Sequence, residues 1–176
     1  AAKSPHAWYP VQRSAEEIAT ATNNNRYVAW PYTKYMNAMN QINQSAALLL
    51  TSVDQARKLG ITDDKFIYLH GCSDTKEKTI LGRQNYYSSE AMRVMAEQVF
   101  ANNSASGDLG IDDIEHIDFY SCFPSAVAMA RDTFGLSVDD PRPLTITGGL
   151  PVHGGAGNNY VMNSIAAMVE KVRADK

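Results

Sequence analysis

The chain has 176 residues, of which 44% are apolar and 20% charged, and a formal net charge of −3 at pH 7. That length holds one domain with a sizeable core, or one and a half smaller ones, and the balance is globular rather than disordered. Mild acidity without a basic run argues against nucleic acid or an anionic membrane as the main partner.

The first predicted element is a short helix opened by the capping box Ser14-Ala15-Glu16-Glu17, in which Ser and Glu each satisfy the other's backbone N–H. Arg26–Asn43 reads as an irregular, aromatic loop, with Pro31 preventing a long helix. Trp30, Tyr32 and Tyr35 are costly to expose together, so a partner surface is expected there. Ala46–Leu50 has the length and apolarity of a strand. Ser52–Gln55 is a second capping box, whose helix ends at Gly60. Phe66–Leu69 is the next strand, and Ser88 or Ser89 caps a helix with Met92, Met95 and Val99 on its apolar face.

The polar run Asn102–Asp108 reads as a surface loop. A strand over Ile114–Tyr120 leads to Pro124, which suits the first turn of a helix that Gly135 stops. Leu144–Thr147 is the fourth strand, Gly148–Gly157 a loop, and Asn158 or Asn159 the cap of a last helix with a stripe of Val161, Ile165, Met168 and Val172. This alternation of strand and helix predicts an α/β fold with largely parallel strands.

No apolar run approaches the roughly 20 residues of a membrane-spanning helix. The first ten residues lack the order of a secretory signal, so a cytoplasmic protein is expected. Two cysteines, Cys72 and Cys122, and four scattered histidines, His6, His70, His116 and His153, make no zinc pattern, and no metal is expected. Both cysteines read as free thiols.

Ligands of open α/β sheets bind beyond the carboxyl ends of strands. Two segments fit. Tyr120-Ser121-Cys122-Phe123-Pro124 sets a hydroxyl and a thiol between a strand end and a helix start, where the helix dipole favours a thiolate. A lone cysteine is also commonly a small buried apolar residue. The other segment holds five glycines in the ten residues Gly148–Gly157, so its backbone can approach a phosphate, a carboxylate or a developing oxyanion. A tight strand-to-helix turn has the same composition, and no dinucleotide fingerprint is present. His153 reads equally as a base directed at Cys122 and as a solvated loop residue. His70 with Cys72 is a third, weaker pairing, and His6 and His116 are assigned to the surface.

Four stretches, Asn43–Ser52, Asp113–Asp118, Tyr120–Phe123 and Gly148–Asn159, resemble in this order the C-terminal half of the thiolase family. The branch is that of sterol-carrier-protein-type thiolases and bacterial acetyl-CoA acetyltransferase homologues. The resemblance implies a thiolase-like mixed sheet with helices on both faces, present as an incomplete C-terminal portion. Residues 1–60 would end the N-terminal domain, and 61–176 would form the C-terminal domain, cut before its last strands.

The implied function is that of a fragment of an acyl-CoA acyltransferase acting by Claisen condensation or thiolysis, with a coenzyme A thioester as substrate, no cofactor, and a homodimeric parent. Cys122, Tyr120 and His153 would be catalytic. Ser121, Phe123, Gly148, Gly149, Gly154, Gly155 and Asn158 would bind substrate. The departures are specific. Gly155 stands where the family has the histidine of Gly-His-Pro, and Tyr120 and Ser121 replace the Asn or His and the acidic residue of the other motif. The nucleophilic cysteine belongs to the family's other half, so this chain alone is expected to be inactive. The alternatives are a retro-aldolase with Tyr120 as proton donor, acting on a branched or sterol-derived acyl-CoA, and a non-catalytic acyl-CoA-binding subunit.

Overall fold

A computed structural model describes residues 4–101 and 109–175. The loop expected over 102–108 lies outside the described residues.

Helix α1 (Ala15–Ala19) begins as its capping box dictates, with Ser14 Oγ accepting from the Glu17 N–H at 3.1 Å and the Glu17 carboxylate accepting from the Ser14 N–H at 2.8 Å. Its C-terminal end is held by Asn25, which is buried. The Asn25 side-chain amide donates to the carbonyls of Glu17, Ile18 and Thr20, and its Oδ1 accepts from the Tyr35 N–H at 2.9 Å.

The stretch expected to be irregular forms an antiparallel hairpin, β1 (Tyr27–Ala29) with β2 (Tyr32–Thr33). Its aromatics divide. Tyr32 packs on Phe123 at 5.6 Å and Tyr35 carries the Arg13 guanidinium at 4.0 Å, so both have partners inside the chain, whereas Trp30 at the tip is exposed.

Helix α2 (Val53–Lys58) is capped by Ser52, which accepts from the Gln55 N–H at 3.2 Å, and Gly60 follows at φ +75°. Helix α3 (Glu90–Ala101) starts at Ser89, whose Oγ accepts from the Met92 N–H at 3.1 Å. Helix α4 (Pro124–Thr133) has its proline in the first turn, where the missing N–H is no loss. Phe134, just past α4, stacks on Phe119 at 5.4 Å and meets Phe100 of α3 edge-on at 6.1 Å, which joins two helices to the 114–120 segment. Helix α5 (Leu150–His153) is a single turn, and α6 (Tyr160–Ala174) closes the described chain.

The parallel sheet is the main correction. Among the described residues the only ladder is the hairpin. Segments 46–50, 66–69, 114–120 and 144–147 are not strands. The last two lie side by side, with the Phe119 N–H donating to the Leu144 carbonyl at 2.9 Å. A side chain continues the pairing. The Asp118 carboxylate accepts from the Ile146 N–H at 2.6 Å and the Thr147 N–H at 3.2 Å, taking donors that a second backbone would take in a ladder.

The stripe of α6 is corrected too. Tyr160 and Asn163 are its buried residues, while Val161 and Ile165 are exposed. At its N-terminal end polar residues meet the chain, because Asp118 and Gln44 draw Ser164, Asn163 and Asn159 to themselves, while Met168 and Val172 of the expected stripe are half-buried.

Candidate functional site

The two segments singled out by sequence meet around Tyr160, which is buried at the first position of α6. Its hydroxyl bonds the Thr147 hydroxyl at 2.6 Å. Its ring is met edge-on by Tyr120 at 5.8 Å and by His153 at 5.9 Å. Tyr160 thus stands between the strand-end motif and the glycine loop. Burial raises its pKa, and hydrogen bonding with Thr147 and Ser121 works against that rise.

Ser121 is buried and its Oγ accepts from the Leu150 N–H at 3.3 Å, which seats α5 on the motif. Gly149 is required at this seam. It has φ +82°, and a Cβ there would lie 2.8 Å from Ser121 Oγ. Gly154, at φ +107°, is as tightly constrained, because a Cβ would meet the Ile42 side chain at 2.8 Å. Gly155 donates to the Met39 carbonyl at 2.7 Å, and the Ala38 N–H donates to the Cys122 carbonyl at 3.2 Å. Residues 38–39 therefore run between the two segments and tie them together.

The loop differs from an open anion cradle. The N–H groups of Gly149 and Leu150 go to Thr147 Oγ1 and Ser121 Oγ. Those of Val152 and His153 go to the Gly149 carbonyl, and those of Gly154 and Gly155 to Leu150 and Met39. Pro151 has none. From Gly149 to Gly155 every backbone donor is engaged within the chain, and Gly149, Gly154 and Gly155 let neighbouring segments pack closely.

His153 is 3% exposed, and its Nδ1 is buried without a hydrogen-bond partner among the described residues. Burial lowers its pKa, His6 adds to the effect and Asp118 opposes it, so the neutral imidazole is favoured. Of the two readings of His153, the solvated one is excluded by this burial.

Tyr120 is 50% exposed, with its pKa raised first by partial burial and further by the neighbouring Cys122 side chain. It therefore stays protonated and able to donate. Cys122 is a free, half-buried thiol. Phe123 caps α4 and leans on Tyr32, with 45% of it exposed. The face of the site open to solvent is accordingly the line Tyr120–Cys122–Phe123.

Asn158 is exposed, in a single 3-10 turn (Gly157–Asn159), and Asn159 at the cap of α6 makes no cap bond. The Asn159 amide instead donates to the Gln44 carbonyl at 3.2 Å. His70 and Cys72 are both exposed, in a segment without regular structure. His116 is not a simple surface residue: it is half-buried and paired with Asp175. With Glu115 these two place ligand atoms within 4.8 Å of one another, but the Lys171 ammonium already sits 2.6 Å from the Asp175 carboxylate.

Sequence reasoning missed three organising residues. Asp118 takes donors from Ile146, Thr147 and Ser164. A single acid between Ile117 and Phe119 in an apolar segment was the available signal. Tyr160 was not singled out. Gln44 joins His6, His153 and Asn163 through its side chain, with no local pattern to mark it.

No family model matches the chain, and no curated protein matches it. Among solved structures it is similar to a monomeric SCP2-thiolase like protein type 1 from Mycobacterium smegmatis, at 43% identity and a TM-score of 0.88. The match takes in 98% of this chain and 37% of that one, so the chain spans little more than a third of the solved protein's length. The fold class is therefore thiolase-like α/β, with a short sheet. The solved protein is described as monomeric, which lends no support to a homodimer. No helix of the described residues is long and apolar enough to cross a membrane.

Proposed function

We propose that this chain carries the acyl-CoA-binding face of a thiolase-like acyltransferase, with the thioester's acyl end at Tyr120 and Cys122. The observation that carries the reading is the meeting of Tyr120, Ser121 and Cys122 with the glycine loop around Tyr160 in a thiolase-like fold. Cys122 is a free, half-buried thiol two residues before the start of α4. A thiolate there would take the α-proton of a bound acyl group, and the protonated Tyr120 hydroxyl would donate to the thiolate or to the developing oxyanion. The loop's backbone donors from Gly149 to Gly155 play no part in this step, since they are already engaged.

One observation favours a second reading, acyl-CoA binding without turnover. His153 is sealed beneath Tyr160, and Gly155 stands where the resembled family has a histidine.

The experiment that separates the two is deuterium exchange. The protein is incubated with acetyl-CoA in D2O, and label at the α-carbon is read by mass spectrometry beside a direct binding titration. Exchange that Cys122→Ser abolishes supports proton transfer at the thiol. Binding without exchange favours the second reading, and absence of binding overturns both.

A further inference from the structure

Tyr160 is the largest fully buried side chain among the described residues, yet the proton transfer proposed above uses only Tyr120 and Cys122. Its ring is held from both ends. The backbone end is the first position of α6. The hydroxyl end bonds Thr147 Oγ1 at 2.6 Å, and Thr147 is itself buried and anchored. The Thr147 N–H and hydroxyl donate to Asp118 Oδ1 at 3.2 and 3.4 Å, and Thr147 Oγ1 accepts from the Gly149 N–H at 3.2 Å.

A ring fixed at both ends presents its face and edge in one orientation. Tyr120 meets it at 5.8 Å with the two planes at 73°, and His153 meets it at 5.9 Å and 77°. Both are edge-on contacts, an arrangement that aromatic quadrupoles favour. The three rings differ in freedom. Tyr160 and His153 are buried, whereas half of Tyr120 lies in solvent. A half-exposed tyrosine can leave its rotamer for another staggered one, so it keeps one direction only where a neighbour holds its ring. Among the described residues Tyr160 is the only ring that Tyr120 contacts.

We propose that Tyr160 is the positioning residue of the site, a tethered ring that keeps the Tyr120 hydroxyl directed at the thioester beside Cys122. The inference rests on the reading of Tyr120 as proton donor and goes beyond it, by assigning that orientation to a side chain buried away from substrate. The tether is the part that mere space-filling does not need. A phenylalanine would fill the same volume without a bond to Thr147, and its ring could tilt. Burial raises the Tyr160 pKa, so its hydroxyl keeps its proton and the tether holds across neutral pH.

The test follows Tyr120 itself before it follows turnover. With meta-fluorotyrosine incorporated throughout, the fluorine resonance of Tyr120 is assigned by its loss in Tyr120→Phe. Tyr160→Phe and Tyr160→Leu are expected to move that resonance toward those of exposed tyrosines, with thermal melts to check that each variant is folded. Should Tyr160→Leu not fold, the milder Tyr160→Phe carries the test alone. In the exchange of acetyl-CoA in D2O, Tyr160→Phe should lower kcat by roughly tenfold or more while KM stays the same, as misplacement of a reacting group does. A Tyr120 resonance indifferent to Tyr160→Phe, or an unchanged kcat in that variant, would overturn the proposal. No exchange by the unaltered protein would instead sink the proton-transfer reading, and the resonance would still decide whether Tyr160 holds Tyr120.

Discussion

Residues 118–163 and residues 46–89 have similar shares of apolar residues but different kinds of order. In the first stretch buried polar groups do the joining. Asp118 accepts from the Ile146 and Thr147 N–H groups, Thr147 bonds the Tyr160 hydroxyl and the Gly149 N–H, and Ser121 accepts from the Leu150 N–H. In the second, Leu49, Leu50 and Leu81 are exposed by 75%, 76% and 93%, and the only helices are short. Apolar composition alone does not hold a segment in place. Directional bonds to named partners, with glycines that let the backbones close, give the first stretch its shape.

If that contrast is right, Gly149→Ala has the largest effect on stability. It forces an alanine to φ +82° with its Cβ 2.8 Å from Ser121 Oγ. Backbone strain of this kind costs roughly 1–3 kcal/mol before the clash is counted. A clear drop in the denaturant midpoint is expected, and an unchanged midpoint would break the comparison.

Asp118→Ala comes next. It strips the acceptor from the N–H groups of Ile146 and Thr147 and from the Ser164 hydroxyl, and each buried donor left unsatisfied costs about 1–3 kcal/mol. Hydrogen exchange at those two amides should rise more than elsewhere in the chain.

A smaller, pH-dependent effect belongs to His153. Its folded-state pKa lies below the ordinary imidazole value, chiefly through burial. As pH falls through about 6.5, the unfolded chain takes up a proton that the folded chain resists, so stability declines on the acid side and is retained above it. His153→Phe should flatten that decline in a series of melts from acid to neutral pH.

The smallest effect is expected in the other stretch. Leu81→Gln changes a side chain that is 93% exposed, so stability should move by less than about 0.5 kcal/mol. A loss comparable to that of Asp118→Ala would show that the 46–89 stretch is packed as tightly as the site.

Local signals in the sequence were read correctly where the partner is a few residues away. Ser14 with Glu17, Ser89 with Met92, and Pro124 in the first turn of α4 are all cases in which the bond lies within one helical turn. The apolar segment 46–50 was read as a strand, but its residues alternate between half-buried and exposed, and no ladder forms there. A run of apolar residues has strand-like propensity without specifying a neighbour. The site was legible as two segments, because hydroxyls, a thiol and glycines cluster locally in each. Their junction was not, since it depends on Asp118, Gln44 and Tyr160 reaching partners far away in the chain.

The most direct test of the central claim uses an acyl-pantetheine thioester without phosphates, titrated into the protein while binding is read by calorimetry. Such a probe can engage Tyr120 and Cys122 without any contribution from phosphate groups. The account predicts saturable binding that the double substitution Tyr120→Phe with Cys122→Ser weakens by roughly tenfold, the scale of one hydrogen bond to each lost group. No binding of the thioester, or binding that the double variant leaves intact, would contradict it.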